Sequence, residues 1–279
     1  CASTGNLANA VAAQAARAGL PAWIFIPHDL ELGKVVGTLV YGPRLVRVRG
    51  TYDDVNRLCT QAADRYGWGL VNINLRSYYG EGSKTVAFEI AEQLGWSLPD
   101  VVVAPIASGA LFHKVGQGFA ELRRLRLVDG VLPSLIGGQA EGCAPVATAF
   151  ATGERVVPVR PDTIARSLAI GSPADGDFAV ATARETGGAI HAVAEEAVGE
   201  NMALLARTTG VFGETATGVT LGALRAAVAE GQIRPRDRVV LLVTGDGLKT
   251  PGPVSFTYAP VAIEPDAESF LENVLGAVA

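Results

Sequence analysis

Chemistry-bearing residue types gather at the ends of apolar runs in this chain. In CASTGN, Ser3, Thr4 and Asn6 stand directly ahead of LANAVAAQAARAG, an Ala-rich stretch with apolar residues at helical spacing. A helix starting there leaves free backbone N–H groups beside two hydroxyls and an amide. Such a donor set suits a carboxylate or a phosphate, and it serves equally as an ordinary helix cap. In VVVAPIASGALFHKVGQGF, an apolar run ends at Pro105, turns through Ala107, Ser108, Gly109 and Ala110, and enters a helix near Leu111. A small-residue turn opening a helix offers N–H groups and a positive dipole end to phosphate, though it also eases packing. Neither GxGxxG nor GxxxxGK[ST] is present, so no motif supports a dinucleotide or ATP.

Two further stretches behave similarly. RVVLLVTGDGLKTP places the Thr244 hydroxyl after an apolar run and flanks Asp246 with Gly245 and Gly247, a tight turn against which something packs closely. A neutral hydroxyl at that point suits a heteroaromatic nitrogen or a structural turn. GVFGETATGVTLGAL opens another helix at Glu214, Thr215, Ala216, Thr217 and Gly218, which alone reads as a structural helix start. His28, His113 and His191 are scattered, without an acidic partner or metal-ligand spacing, and receive no chemistry.

These turns need elements to hold them. The runs AWIFIP, RLVRVRG, DVVVAPIASG, SLIGGQA and RVVLLVTGDG read as buried strands. Between them DLELGKVVGTLVYG, TYDDVNRLCTQAADRYG, KTVAFEIAEQLGW, HKVGQGFAELRRLRL, AVGENMALLARTTG and GVTLGALRAAVAEG read as helices. Strand alternating with helix predicts an α/β protein with mostly parallel sheets flanked by helices. A boundary near Trp68 divides it into residues 1–66 and 67–279. The 279 residues are 49% hydrophobic, enough for one large or two modest cores. A net charge of −5 argues against nucleic acid or an anionic membrane as partner and leaves small molecules. Three cysteines at 1, 59 and 143 form no CxxC pair and suit a reducing cytoplasm better than a disulfide framework or zinc site. No apolar run reaches the ~20 residues of a membrane span.

ASTGN, ETATG and TGDGLK, in that order and together with RPDTIARSLAIGSPADG, resemble the fold-type II pyridoxal-phosphate enzymes, and among them the threonine synthases, over residues 1 to about 257. The resemblance implies a two-lobed fold like that of the tryptophan synthase β chain, with pyridoxal 5′-phosphate as cofactor. It implies that Ser3, Thr4 and Gly5 hold a substrate carboxylate and that Asn6 faces the cofactor's 3′-oxygen. Ser108, Gly109, Ala110 and Leu111 stand where the family has a Gly-Asn-Ala-Gly-Asn phosphate cup, so the backbone donors survive while Leu111 removes a polar contact. Thr244 would bond the pyridine nitrogen and keep it neutral, and residues 167–173 would line the ring.

The family's Schiff-base lysine precedes the Ser-Thr-Gly-Asn turn in a Ser-Phe-Lys-Asp type of context. None of Lys34, Lys84, Lys114 and Lys249 lies in such a context, which predicts a fragment that does not turn over by itself. In NINLRSYYGEGSKT, Arg76 has the fork geometry to pair with a phosphate ester, helped by Asn74 and Lys84. With that anion site the implied substrate is a small phosphorylated amino acid, O-phosphohomoserine, converted with water to threonine and phosphate. Threonine or serine dehydratases, cysteate or cysteine synthases and a non-catalytic cofactor-binding protein remain alternatives. A homodimer is compatible with the resemblance.

Overall fold

Short β-branched runs bounded by Gly, Pro or charge become strands because their side chains can be buried on both faces of a parallel sheet. The computed structural model describes residues 1–3, 5–71, 76–256 and 258–275, except for the side chains of Arg76, Ser77 and Leu275. Trp23–Pro27 (β1) and Arg44–Val48 (β2) pair in parallel. The N-terminal residues run alongside: Ser3 N–H donates to Phe25 O at 3.0 Å and Phe25 N–H to Cys1 O at 2.8 Å. Asn6–Arg17 (α1) and Leu32–Leu39 (α2) cover one face of this sheet, burying Ala8, Ile24, Ile26 and Val35. Tyr52–Tyr66 (α3) covers the other through Phe25, Tyr52, Val55 and Cys59. A reciprocal Thr51–Asp54 capping box starts α3, and a left-handed Gly67 ends it. Beyond it Trp68 stacks on Trp23, ring centroids 5.1 Å apart.

The larger sheet contains Val101–Pro105 (β3), Ser134–Ala140 (β4), Ala189–Val193 (β5) and Val239–Leu241 (β6) in the order β5-β4-β3-β6, all parallel. Arg76–Gln93 (α4), Ala110–Arg124 (α5), Pro145–Thr152 (α6) and Gly176–Glu185 (α7) pack on one face. Glu195–Thr209 (α8) and Thr215–Ala229 (α9) pack on the other. The alternation of β3 divides its burial accordingly: Val102 and Ala104 enter the first core, Val101 and Val103 the second. The two sheets, each flanked by helices, form the two lobes of the expected α/β architecture.

The structure departs from the sequence reading at several elements. The strand read from RVVLLVTGDG pairs only over Val239–Leu241 and is half-buried, because β6 is an edge with β3 on one side. Helix α4 begins at Arg76, ahead of the helical pattern that starts at Lys84, and β5, α6 and α7 form where the sequence pattern predicts no element. His191 does have an acidic neighbour, since the register of β5 brings its Nδ1 to 3.6 Å from Glu230 Oε1 at the end of α9. Among the described residues no helix is long and apolar enough to cross a membrane.

Candidate active site

In a parallel α/β sheet, turns at the carboxyl ends of strands share one edge, and a cavity forms where they meet. Here a cavity of about 160 Å³ is bounded by Ser3, Gly5 and Asn6, by Ser108, Gly109 and Leu111, by Ser167, Leu168 and Ile170, and by Glu214 and Thr244. Residues that lie far apart in sequence are thereby brought together. Tyr52, Tyr79 and Phe112 complete much of its wall. Thr4 and Asn74, both singled out from the sequence, lie outside the described residues, as does the side chain of Arg76.

The first turn follows the strand-like segment beside β1. The Ser3 hydroxyl accepts from Gly5 N–H and Ala8 N–H, each at 3.0 Å, so it caps α1 while lining the cavity. The second turn follows β3. Gly109 holds φ at +92°, and a Cβ there would lie 2.4 Å from the Asp175 carbonyl oxygen, so only glycine brings the chain into α5 at this point. Ala110 N–H points back to Ser108 Oγ at 3.3 Å. Ala110 itself faces a neighbouring cavity of about 250 Å³ with Tyr79, His113 and Lys114, because the helix has already turned it away from the first. The start of α5 carries N–H groups that no helical carbonyl takes, a cradle for a phosphate.

The third turn is pinned to the start of α9. Glu214 N–H donates to Gly245 O at 3.0 Å, and Gly247 N–H to Phe212 O at 2.9 Å. A Cβ on Gly245 would meet Glu214 Cδ at 2.5 Å, which explains the glycine read as a close-approach position. Glu214 is fully buried. Its Oε1 accepts from Asn6 Nδ2 at 2.7 Å and from the Thr244 hydroxyl at 3.1 Å. The second Asn6 amide bond runs to Thr244 O at 2.9 Å, and Lys249 Nζ donates to Asn6 Oδ1 at 2.7 Å. The Asn6 amide, expected to face a ligand oxygen, therefore has both hydrogens taken within the protein. Glu214 is the site residue that sequence reading passed over. Its signal is an acidic residue at the mouth of a helix whose first two turns are uncharged.

Lys84, expected as an anion helper, is held elsewhere. Its Nζ donates to Glu81 Oε2 at 2.8 Å and Glu121 Oε1 at 2.6 Å, since its place on α4 turns it toward α5. Lys34 is buried with Nζ 3.3 Å from Glu31 Oε2, and Lys114 donates to Gln117. Among the described residues the cavity wall contains no Lys or Arg. Burial, and behind it the charge of Asp175, raises the Tyr79 phenol above its usual pKa. The phosphate cradle, the apolar floor of Leu168, Ile170 and Phe112, and the polar end at Glu214 and Thr244 fit a flat heteroaromatic that bears a phosphate.

The sequence pattern of the pyridoxal-phosphate dependent enzymes matches residues 1–245. The threonine synthase of Halalkalibacterium halodurans is 34% identical over 281 residues, spanning 100% of this chain and 77% of that protein. The threonine synthase of Methanocaldococcus jannaschii is 34% identical over 173 residues, 61% of this chain and 42% of its own length. The chain thus matches less than half of that archaeal relative. Among solved structures, maize serine racemase has a TM-score of 0.68 at 22% identity, covering 88% of this chain and 71% of its own. The processed form of threonine deaminase isoform 2 from Solanum lycopersicum has a TM-score of 0.70 at 20% identity, covering 89% and 69%.

Proposed function

Because the chain belongs to the family of pyridoxal-phosphate dependent enzymes, we propose that its site serves the threonine synthase reaction, O-phosphohomoserine plus water giving threonine plus phosphate. The observation that carries this reading is the convergence of the turns at Ser3–Asn6, Ser108–Leu111 and Thr244 on one cavity. The threonine synthase relatives support the choice of reaction. On this reading residues 1–66 act as the small lobe and 67–279 as the cofactor-holding lobe. The unpaired cysteines suit the cytoplasm.

Pyridoxal 5′-phosphate supplies the electron sink for charge developing on the substrate carbon. Backbone N–H groups at the start of α5 would hold its phosphate, with Gly109 shaping the approach. Leu168 and Ile170, on the cavity wall, would cover the ring and exclude water. On this reading the Ser3–Gly5 turn would receive the substrate carboxylate, Gly5 N–H exchanging its bond to Ser3 Oγ for it, and Arg76 would pair with the phosphate ester. The amines of the four lysines are ion-paired, bonded to an amide, or outside the cavity wall. On this reading these residues would bind the cofactor, and turnover needs a proton-carrying amine that none of the four lysines supplies.

A dehydratase would share this fold and these cofactor turns and differ in the substrate it accepts. The test is to supply the chain, and any longer natural protein that contains it, with O-phosphohomoserine, threonine or serine. Phosphate release with threonine formation by the longer form supports the synthase. Ammonia release from threonine or serine, with O-phosphohomoserine ignored, replaces it with the dehydratase.

A further inference from the structure

Lys34 is fully buried, yet its Nζ makes no hydrogen bond among the described residues. Its charged neighbour is Glu31, whose Oε2 lies 3.3 Å away and likewise has no hydrogen-bond partner among them. The two members of the pair are placed unequally. The Lys34 side chain has no exposed surface, whereas that of Glu31 is 23% exposed and borders a second, larger cavity. Water therefore screens the carboxylate in part and leaves the lysine charge unscreened.

The place of that charge is set by how α2 packs on α1. Asn9 on α1 donates through Nδ2 to Thr38 Oγ1 at 2.8 Å and to Lys34 O at 3.3 Å. With α2 so held, Lys34 in its first turn extends beneath the Ser3–Gly5 turn. The three atoms nearest to a Cβ built on Gly5 all belong to Lys34: Cδ at 3.2 Å, Cε at 3.3 Å and Nζ at 3.7 Å. Gly5 lines the cavity, and Nζ is closed off behind it. A ligand at this turn meets backbone, with the lysine charge directly behind that backbone.

Resting on the cofactor reading above, we infer that Lys34 is a positioning residue for the substrate carboxylate: from behind Gly5 it gives the Ser3–Gly5 turn a positive potential that favours an anion at the turn's N–H groups. It acts through the turn and touches neither substrate nor cofactor. Charges separated by one layer of backbone interact strongly where water is excluded, and the start of α1 carries a helix dipole of the same sign. Glu31 opposes this potential. The two residues therefore act on carboxylate binding with opposite signs, a pattern that support of the fold alone does not produce.

The experiment compares two stable secondary amines that need no Schiff-base lysine, N-(5′-phosphopyridoxyl)-L-alanine and its counterpart without the carboxylate, N-(5′-phosphopyridoxyl)ethylamine. The readout is the ratio of their dissociation constants on the chain as it stands, at about pH 6, well below the ordinary lysine range. Wild type should favour the alanine compound. Lys34→Gln should cut that preference about tenfold while leaving the ethylamine compound within about twofold of its wild-type affinity. Glu31→Gln should raise the preference about two- to fivefold, as expected for removal of a partly solvated opposing charge. Equal losses for the two ligands in Lys34→Gln, or an unchanged ratio, overturn the inference. If Lys34→Gln fails to fold, the Glu31→Gln ratio decides: a rise supports the inference, and a fall or no change overturns it. A wild type that binds both compounds without preference overturns it and leaves the cofactor reading intact. A wild type that binds neither overturns the cofactor reading itself.

Discussion

At the scale of single residues the site depends on positions that admit one side chain. Gly109 combines a left-handed φ of +92° with a backbone carbonyl 2.4 Å from where a Cβ would stand. Gly109→Ala should destabilise the fold by at least about 1–3 kcal/mol, the cost of a strained backbone position. It should also weaken phosphate-bearing ligands more than their unphosphorylated counterparts, because the displaced turn is the cradle. A thermal melt paired with titration of pyridoxamine 5′-phosphate and pyridoxamine checks both; an equal loss for the two ligands would remove the cradle assignment. Much of this site is legible in the sequence. Ser3, Gly5, Asn6, Ser108, Gly109, Leu111 and Thr244 all reach the cavity wall. Glu214 was not legible, because what makes it notable is burial and one oxygen without a partner, and both arise only when Asn6 and Thr244 arrive from distant parts of the chain.

Elements set these residues in place, and one contact between elements carries a pH dependence. His113 on α5 lies against α7: its Nδ1 is 2.8 Å from Thr182 Oγ1 and its ring stacks on Phe178. Burial, and next the Lys114 charge, lowers its pKa below the ordinary 6.5, against the opposing pull of Asp175 and Glu185. The native state then gives up the proton more readily than the unfolded chain. Unfolding takes up a proton in the window below 6.5, so stability falls as pH drops through 6.5 toward the native value. His113→Gln should flatten that part of the profile, as read by urea midpoints at about pH 7.5 and 5.5; an unchanged profile would place the effect elsewhere. Strands were the most readable elements because each is an apolar run with clear ends. The exceptions have physical reasons: AIHAV of β5 is interrupted by His191, and α6 is only eight residues long. Helix α4 passes through Gly80 and Gly82, poor helix formers, and crosses α5 so closely that a Cβ on Gly118 would lie 2.8 Å from that of Ala87.

At the scale of the whole molecule, the two lobes meet along an apolar seam, where Ile170 joins the core of Phe25, Tyr52 and Val55, and through polar bridges. Asn6 reaches Glu214 and Thr244, Lys249 reaches back to Asn6, and Asp29 pairs with Arg166. The exposed Asp29–Arg166 pair contributes little by itself. The buried bridges are at the cavity, so a ligand filling it would join the lobes more firmly than the protein does alone. The lobes also carry different chromophores. Trp23 and Trp68 lie nearly parallel, 19° between ring planes, in a stack that joins β1 to the segment just after α3, whereas Trp96 stands half-exposed after α4. Two indoles so close couple their transitions, and the resulting exciton couplet in circular dichroism reports the small sheet and the segment that leaves it at the lobe boundary. During urea unfolding the couplet should vanish before the helical signal, and saturating pyridoxamine 5′-phosphate should merge the two transitions; coincidence without ligand would show one cooperative unit. The aromatic stack that closes the end of α3 is therefore a built-in optical label, able to report how far the two lobes act as one body without any added probe.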